Sequence, residues 1–208
     1  MGDVIQLSER RSARARKRLR SGPRSSRPAF FFDLACPLSY LAAERVERVL
    51  GEVEWIPAVL DSPGPSDASA QRAHAETLAI ALRIPLIWPE RFPAAQPRAM
   101  RAAAHAAKLG AVAPFALAAG RLAFCGGFDL EDPYILAEAA AAAGIAPELA
   151  QAAAEDPEYD AELQTTSLLL SAADVDRLPA ICLDGDWLAG ESAVAEAVAL
   201  TPPLRSAR

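Results

Sequence analysis

Nowhere in its 208 residues does this chain hold the ~18 uninterrupted apolar residues that a membrane-spanning helix requires, so no integral membrane role is expected. The N-terminal stretch also lacks the apolar core of a secretory signal. Cysteine is scarce: Cys36, Cys125 and Cys182 are odd in number and widely spaced. That pattern argues against a disulfide framework and makes a reducing cytoplasm the expected compartment. Only two histidines occur. Neither His74 nor His105 has a cysteine or carboxylate at ligand spacing, so no metal is expected and both read as helix-surface residues. Gly126-Gly127 lacks the Lys-Ser/Thr ending of a phosphate-binding loop. Gly190-Glu191-Ser192 lacks the second glycine and the histidine partner of a serine nucleophile elbow.

What is present suffices for a sizeable core. With 52% apolar residues in 22.0 kDa, the length suits one domain carrying an inserted subdomain. Charge is unevenly divided. Residues 1 to 28 hold nine Lys or Arg against Asp3 and Glu9, a net charge of +7 that leaves −13 on the remainder of a chain totalling −6. Such an Arg- and Ser-rich segment cannot bury enough apolar surface to order itself, and residues 1 to 28 are expected to form a disordered basic tail. It reads either as a contact for nucleic acid or anionic lipid, or as a solvated extension without function.

The richest segment is Ala29-Phe30-Phe31-Phe32-Asp33-Leu34-Ala35-Cys36-Pro37-Leu38-Ser39-Tyr40-Leu41, an apolar strand running into a helix that opens with Cys-Pro. Pro37 suits the first helical position, since its missing N–H had no intrahelical partner to lose. Cys36 thus stands at a helix N-terminus, where unpaired N–H groups and the helix dipole favour a thiolate. Settings of that kind bring a thiol from about 8.5 to roughly 3.5–7.5, so a reactive Cys36 is expected. Leu38, Leu41, Ala42, Val46, Val49 and Leu50 recur at helical spacing up to Gly51, and Val53–Leu60 follows as a second strand. Strand, helix and strand make a βαβ unit.

After a loop at Asp61–Asp67, a helix is expected from about Ala70 to Arg83. Three prolines within Ile84–Pro93 exclude a regular helix there. An alanine-rich block to Ala173 is divided by breakers: helices open at Pro97, Pro114, Asp132-Pro133, Pro147 and Asp156-Pro157. Leu178–Leu183 and Asp186–Ala189 flank Asp184-Gly185 as a hairpin, and a last helix runs from Ser192, a candidate N-cap, to about Leu200. The fold class is α/β. The order β-α-β, helices, β-β-α is the thioredoxin arrangement with a large all-helical insertion at about 70–173. Cys125 and Cys182 read as small buried hydrophobes.

In this order and spacing the chain resembles the DsbA-like branch of the thioredoxin superfamily, in particular the group of 2-hydroxychromene-2-carboxylate isomerase and kappa-class glutathione transferase. The resemblance rests on Phe-Phe-Asp leading to Cys36-Pro37-Leu38-Ser39-Tyr40-Leu41, on Trp88-Pro89 and Phe92-Pro93, on Phe124-Cys125-Gly126-Gly127-Phe128-Asp129-Leu130, on Leu178-Pro179 and on Gly190. It covers about Phe30 to Ala197 and implies a DsbA-like thioredoxin domain over 29–208.

The resemblance further implies that Cys36 is the nucleophile or the activator of a small thiol, and that Pro179 is a cis-proline opposite the active-site helix. Leu178 would then present its backbone to a thiol substrate. The local sequence alone also allows Pro179 to be an ordinary proline opening a strand. Ser39 stands where the oxidoreductases carry a second cysteine, which removes the dithiol cycle and leaves monothiol exchange. Ser39 is expected to donate a hydrogen bond toward the thiolate. Tyr40 and Trp88 read either as pocket walls above the thiol or as packing residues. Gly190, Glu191 and Ser192 match the stretch that holds glutathione in relatives with Gly-Ser-Asp-Arg, but the carboxylate and arginine of that pattern are absent here. The Asn that often follows the Phe-Pro pair is Ala95 or Gln96. Glutathione or another low-molecular-weight thiol is the implied cofactor or partner, with no metal. The function implied is a monothiol oxidoreductase or a thiol-dependent isomerase or transferase; a thioredoxin-fold binding module without catalysis is the alternative. Homodimer formation is left open.

Overall fold

The apolar run after Pro28 forms β1 (Ala29–Phe32), all four of whose residues are buried. The computed structural model describes residues 27–60 and 65–201, so the basic tail expected over residues 1–28 lies outside the described residues except at its last two positions. Residues 61–64 of the expected loop are likewise outside. β1 leads into α1 (Pro37–Leu50), and β2 (Glu54–Pro57) returns parallel to β1. β3 (Ala180–Leu183) pairs antiparallel with β1, and β4 (Asp186–Ala189) pairs antiparallel with β3. The sheet order is β2-β1-β3-β4. Asp184 (φ 51°) and Gly185 (φ 91°) close the hairpin, both in the left-handed region that a two-residue turn of this kind demands.

Alternation along β1 gives the sheet two apolar faces. Phe30 and Phe32 join α1 residues Leu41, Val46 and Leu50 in the larger core, with Trp55 meeting both rings edge-on at 4.9 and 5.7 Å. Ala29 and Phe31 face the other way, toward Leu170, Ala173, Val175 and Cys182. Each fully buried Phe contributes ~1.5–3 kcal/mol, and the strand is thereby held in one register, since a slip of one residue would exchange the two faces.

Between β2 and β3 lie α2 (Pro65–Leu82), α3 (Pro97–Lys108), α4 (Val112–Phe124), α5 (Pro133–Ala142), α6 (Pro147–Glu155) and α7 (Glu158–Ala172); α8 (Ala193–Leu200) ends the fold. This is the expected thioredoxin-like fold with a helical insertion. Alanines let the inserted helices approach closely: Ala99, Ala102, Ala103 and Ala106 of α3 are buried where it packs on α6. Gly120 of α4 serves the same end, because a Cβ there would stand 3.2 Å from Tyr40 Cδ2 on α1. Asp132 accepts from Tyr134 N at 2.8 Å and caps α5.

Several details differ from the sequence reading: β2 keeps only Glu54–Pro57 of the expected Val53–Leu60, and β3 begins at Ala180 rather than Leu178. α2 begins at Pro65, within the segment read as loop. α4 begins at Val112, with Pro114 at its third position, where the N–H would have lacked an intrahelical acceptor in any case. Ser192 stands before α8 in helical geometry (φ −83°, ψ −11°) without capping it; its hydroxyl lies 2.5 Å from Glu196 Oε1 instead.

Candidate active site

The C-terminal end of β1, the start of α1 and the start of β3 converge on Cys36. Asp33, the first residue beyond β1, organises the connection: its Oδ1 accepts from Ala35 N at 2.8 Å and its carbonyl from Cys36 N at 3.1 Å. The resulting turn sets Cys36 in extended geometry (φ −97°, ψ 114°) as the N-cap residue, with Pro37 at the first helical position as expected. Ser39 is buried one turn along, and its hydroxyl accepts from Asp33 N at 3.3 Å. The Cys36 thiol donates to the Leu178 carbonyl oxygen at 3.5 Å. The Leu178–Pro179 peptide is cis, and Gly190 N donates to Pro179 O at 2.7 Å.

A cavity of about 500 Å³ opens over the thiol. Cys36, Leu178, Gly190, Glu191 and Ser192 line it, together with Asp33, Phe92, Pro93 and Arg177. Pro37, Ser39 and Pro179 stand behind this surface and are buried. Tyr40 and Trp88 do not reach it. The Tyr40 ring stacks on Phe124 at 5.5 Å, and its hydroxyl donates to Pro85 O at 3.0 Å and lies 2.8 Å from Cys125 Sγ, so it belongs to the packing between α1 and α4. Trp88 lies behind Phe92, ring centroids 4.6 Å apart, and donates to Glu76 Oε1 at 2.7 Å. It supports the cavity wall through Phe92, which sequence reasoning did not select. Arg72 completes that support: its guanidinium covers both rings at 5.0 and 5.1 Å and donates to Phe92 O at 2.8 Å. The Phe92–Pro93 peptide is also cis.

The expected low thiol pKa is overturned. Burial pushes the Cys36 thiol up to about 11; hydrogen bonds from the Ser39 side chain and from the Ser39 and Leu38 backbone oppose the rise, and the Asp33 charge adds to it. The helix N-terminus does act in the expected direction, but the loss of water around the sulfur outweighs it. Asp33 is itself raised to about 6, chiefly by burial, with the Ala35 N–H opposing. An acid at the junction of an apolar strand and a helix was the available signal for this residue, and it went unselected.

Charge around the cavity is mostly negative. Among the described lining residues Asp33, Asp176 and Glu191 face one cation, Arg177, whose Nε lies 3.0 Å from Asp176 Oδ1. His74 is exposed on α2, as read, and pairs with Glu191, whereas His105 is partly buried and shares a 2.7 Å hydrogen bond with Tyr159 between α3 and α7. Cys182 is buried as read, whereas Cys125 is only partly so. No group of three or more potential metal ligands occurs among the described residues. No helix among them is long and apolar enough to cross a membrane.

No curated protein matches the sequence. Solved structures share the fold. A 2-hydroxychromene-2-carboxylate isomerase superposes with a TM-score of 0.70 at 14% identity, covering 83% of this chain and 92% of its own. A candidate protein disulfide isomerase from Nitrosomonas europaea gives 0.65 at 18% identity, over 84% of this chain and 97% of its own. A candidate DsbA oxidoreductase from Streptomyces coelicolor gives 0.65 at 19%, over 86% and 92%. The family model of the DSBA-like thioredoxin domain matches residues 29–199, and the chain belongs to that family.

Proposed function

We propose that this chain is a thiol-dependent enzyme whose working sulfur is Cys36 and whose partner is a small thiol or its adduct. One observation carries the reading: the Cys36 sulfur faces the Leu178 carbonyl at 3.5 Å on the wall of a cavity of about 500 Å³. A thiol that is protonated at rest suits hydrogen-bond donation to a second, bound sulfur better than direct attack. That supports isomerase or transferase chemistry. A small thiol's sulfur adds to an activated double bond, the former double bond rotates, and expulsion of the sulfur restores the double bond without net redox change. Cys36 would hold the incoming thiolate through its S–H, and Leu178 would orient the substrate through its backbone.

Monothiol exchange uses the same atoms. Cys36 loses its proton, its sulfur attacks a disulfide, one S–S bond replaces another, and the departing thiolate takes up a proton; a second thiol then reverses the step. Ser39 in place of a second cysteine confines exchange to this form. The acidic lining favours an uncharged or cationic thiol over glutathione. A non-catalytic binding module is the second reading, and the raised thiol pKa is the observation that favours it.

The test exposes the full chain, with Cys125 and Cys182 replaced, to glutathione disulfide, cystamine and bis(2-hydroxyethyl) disulfide, and follows Cys36 adducts by mass. In parallel, Z-to-E isomerisation of 4-phenylbut-3-en-2-one is measured with 2-mercaptoethanol or cysteamine. Turnover that Cys36→Ala abolishes supports the enzyme. Absence of both adducts and turnover leaves the binding module.

A further inference from the structure

Among the described residues, Asp33, Asp160, Asp176 and Glu191 bring carboxylates to the cavity over Cys36 or to a smaller one, of about 300 Å³, that adjoins it. All but one have a basic partner. Asp160 is held by Arg101 through two 2.7 Å hydrogen bonds, Asp176 lies 3.0 Å from Arg177 Nε, and Glu191 pairs with His74. Asp33 alone has none. Its Oδ1 accepts from Ala35 N, a neutral donor, at 2.8 Å, and Oδ2 accepts from no described residue. The occluded side-chain atoms without a partner belong to Gln96, Arg98 and His105, so Asp33 Oδ2 is not sealed away, and Asp33 lines both cavities. Burial raises its carboxyl to about 6, because the charge loses water and gains no counter-charge. A cation from outside would supply that counter-charge. The turn that brings Cys36 N to Asp33 O at 3.1 Å keeps the two residues together, and the thiol feels the Asp33 charge.

We infer that Asp33 binds the ammonium group of a short aminothiol or its adduct, through the oxygen left free by Ala35, with the ligand's sulfur directed to Cys36. Because acid and thiol flank one turn, the ligand needs only a short chain between nitrogen and sulfur. That this ligand is the small thiol of the reaction rests on the thiol-enzyme reading above; the ammonium site does not. Arg177, the cation in the lining, is already engaged by Asp176 and leaves Asp33 uncompensated.

Three thioethers test this in the full chain at pH 8: 2-(methylthio)ethylamine, 2-(methylthio)ethanol and (methylthio)acetate, titrated while the Ala35 and Gly190 amides are followed by NMR. None can exchange with Cys36, so the outcome does not depend on whether that thiol is catalytic. The amine is expected to bind about tenfold or more tighter than the alcohol, with the anion weakest. Its preference should persist in about 0.3 M NaCl, since a partly buried pair is screened less than diffuse surface charge. Asp33→Asn should erase the difference between amine and alcohol. The comparison of probes in the unmodified chain and its salt dependence need no variant, which guards against a folding defect in Asp33→Asn. No binding of the amine, equal affinity of amine and alcohol, a preference that vanishes with salt, or one that survives Asp33→Asn would overturn the inference even if Cys36 proved catalytic. A preference that requires Asp33, in a chain without turnover, would uphold it while the thiol-enzyme reading fell.

Discussion

Cys36 and Leu178, 142 residues apart, meet through a hydrogen bond in which the thiol donates to a backbone carbonyl oxygen at 3.5 Å. A thiolate has no hydrogen to donate, so the contact belongs to the protonated form. It agrees with a thiol raised to about 11 by burial. Alkylation of Cys36 by iodoacetamide, with Cys125 and Cys182 replaced, is therefore expected to climb through pH 10 with no plateau near neutrality. A plateau below pH 8 would show that the helix N-terminus prevails over burial.

Ser39→Ala removes the side-chain hydrogen bond that holds the Cys36 thiol below the value burial alone would give. The alkylation midpoint should move upward, and the rate at pH 9 should fall about threefold or more, since losing a hydrogen bond to a charged group is worth ~1 kcal/mol or more. Ser39→Cys would instead offer the missing second thiol. An unchanged midpoint in Ser39→Ala would mean that the hydroxyl serves only Asp33 N.

Asp33→Asn should act on both reactivity and stability. Removing the carboxylate charge lowers the Cys36 pKa and raises its alkylation rate at pH 8. In the native fold Asp33 titrates near 6, above its unfolded value of 3.8, so its contribution to stability is fully present below about 3.8 and is lost as pH rises through about 6. The Asn variant lacks that loss and should gain ~1–3 kcal/mol over the parent between pH 4 and pH 8. Urea midpoints at the two pH values measure it; a constant difference refutes the raised carboxyl.

Tyr40→Phe tests the reassignment of Tyr40 from cavity to packing. Loss of the hydroxyl leaves Pro85 O without its 3.0 Å donor and should cost ~1–2 kcal/mol in urea unfolding. Cys36 alkylation should not change. A large effect on Cys36 with no loss of stability would return Tyr40 to the site.

Gly190→Ala probes the cavity rim. Gly190 has φ +82°, and an added Cβ would stand 2.7 Å from Arg177 Cδ. The variant should lose ~1–2 kcal/mol and displace Arg177 from the cavity wall, seen as weaker discrimination among charged disulfides. Unaltered stability would mean that the loop relaxes freely.

The local patterns in the chain determined the order of elements. Four strands of alternating or continuous apolar residues, proline and aspartate at helix starts, and glycine at helix ends are readable because each acts within one turn of backbone. Cys36 at the head of α1 and Ser39 one turn on were legible for the same reason. Pairing between distant segments was not. Which of Tyr40, Trp88 and Phe92 faces the cavity depends on how α2 and α4 pack, and Arg72 and Glu76, both on α2, fix that choice. The thiol pKa likewise escaped the sequence, because desolvation sums over every neighbour in space while the helix dipole is local. Gln96 looked like one polar residue before a proline; only the surrounding tertiary structure buried it.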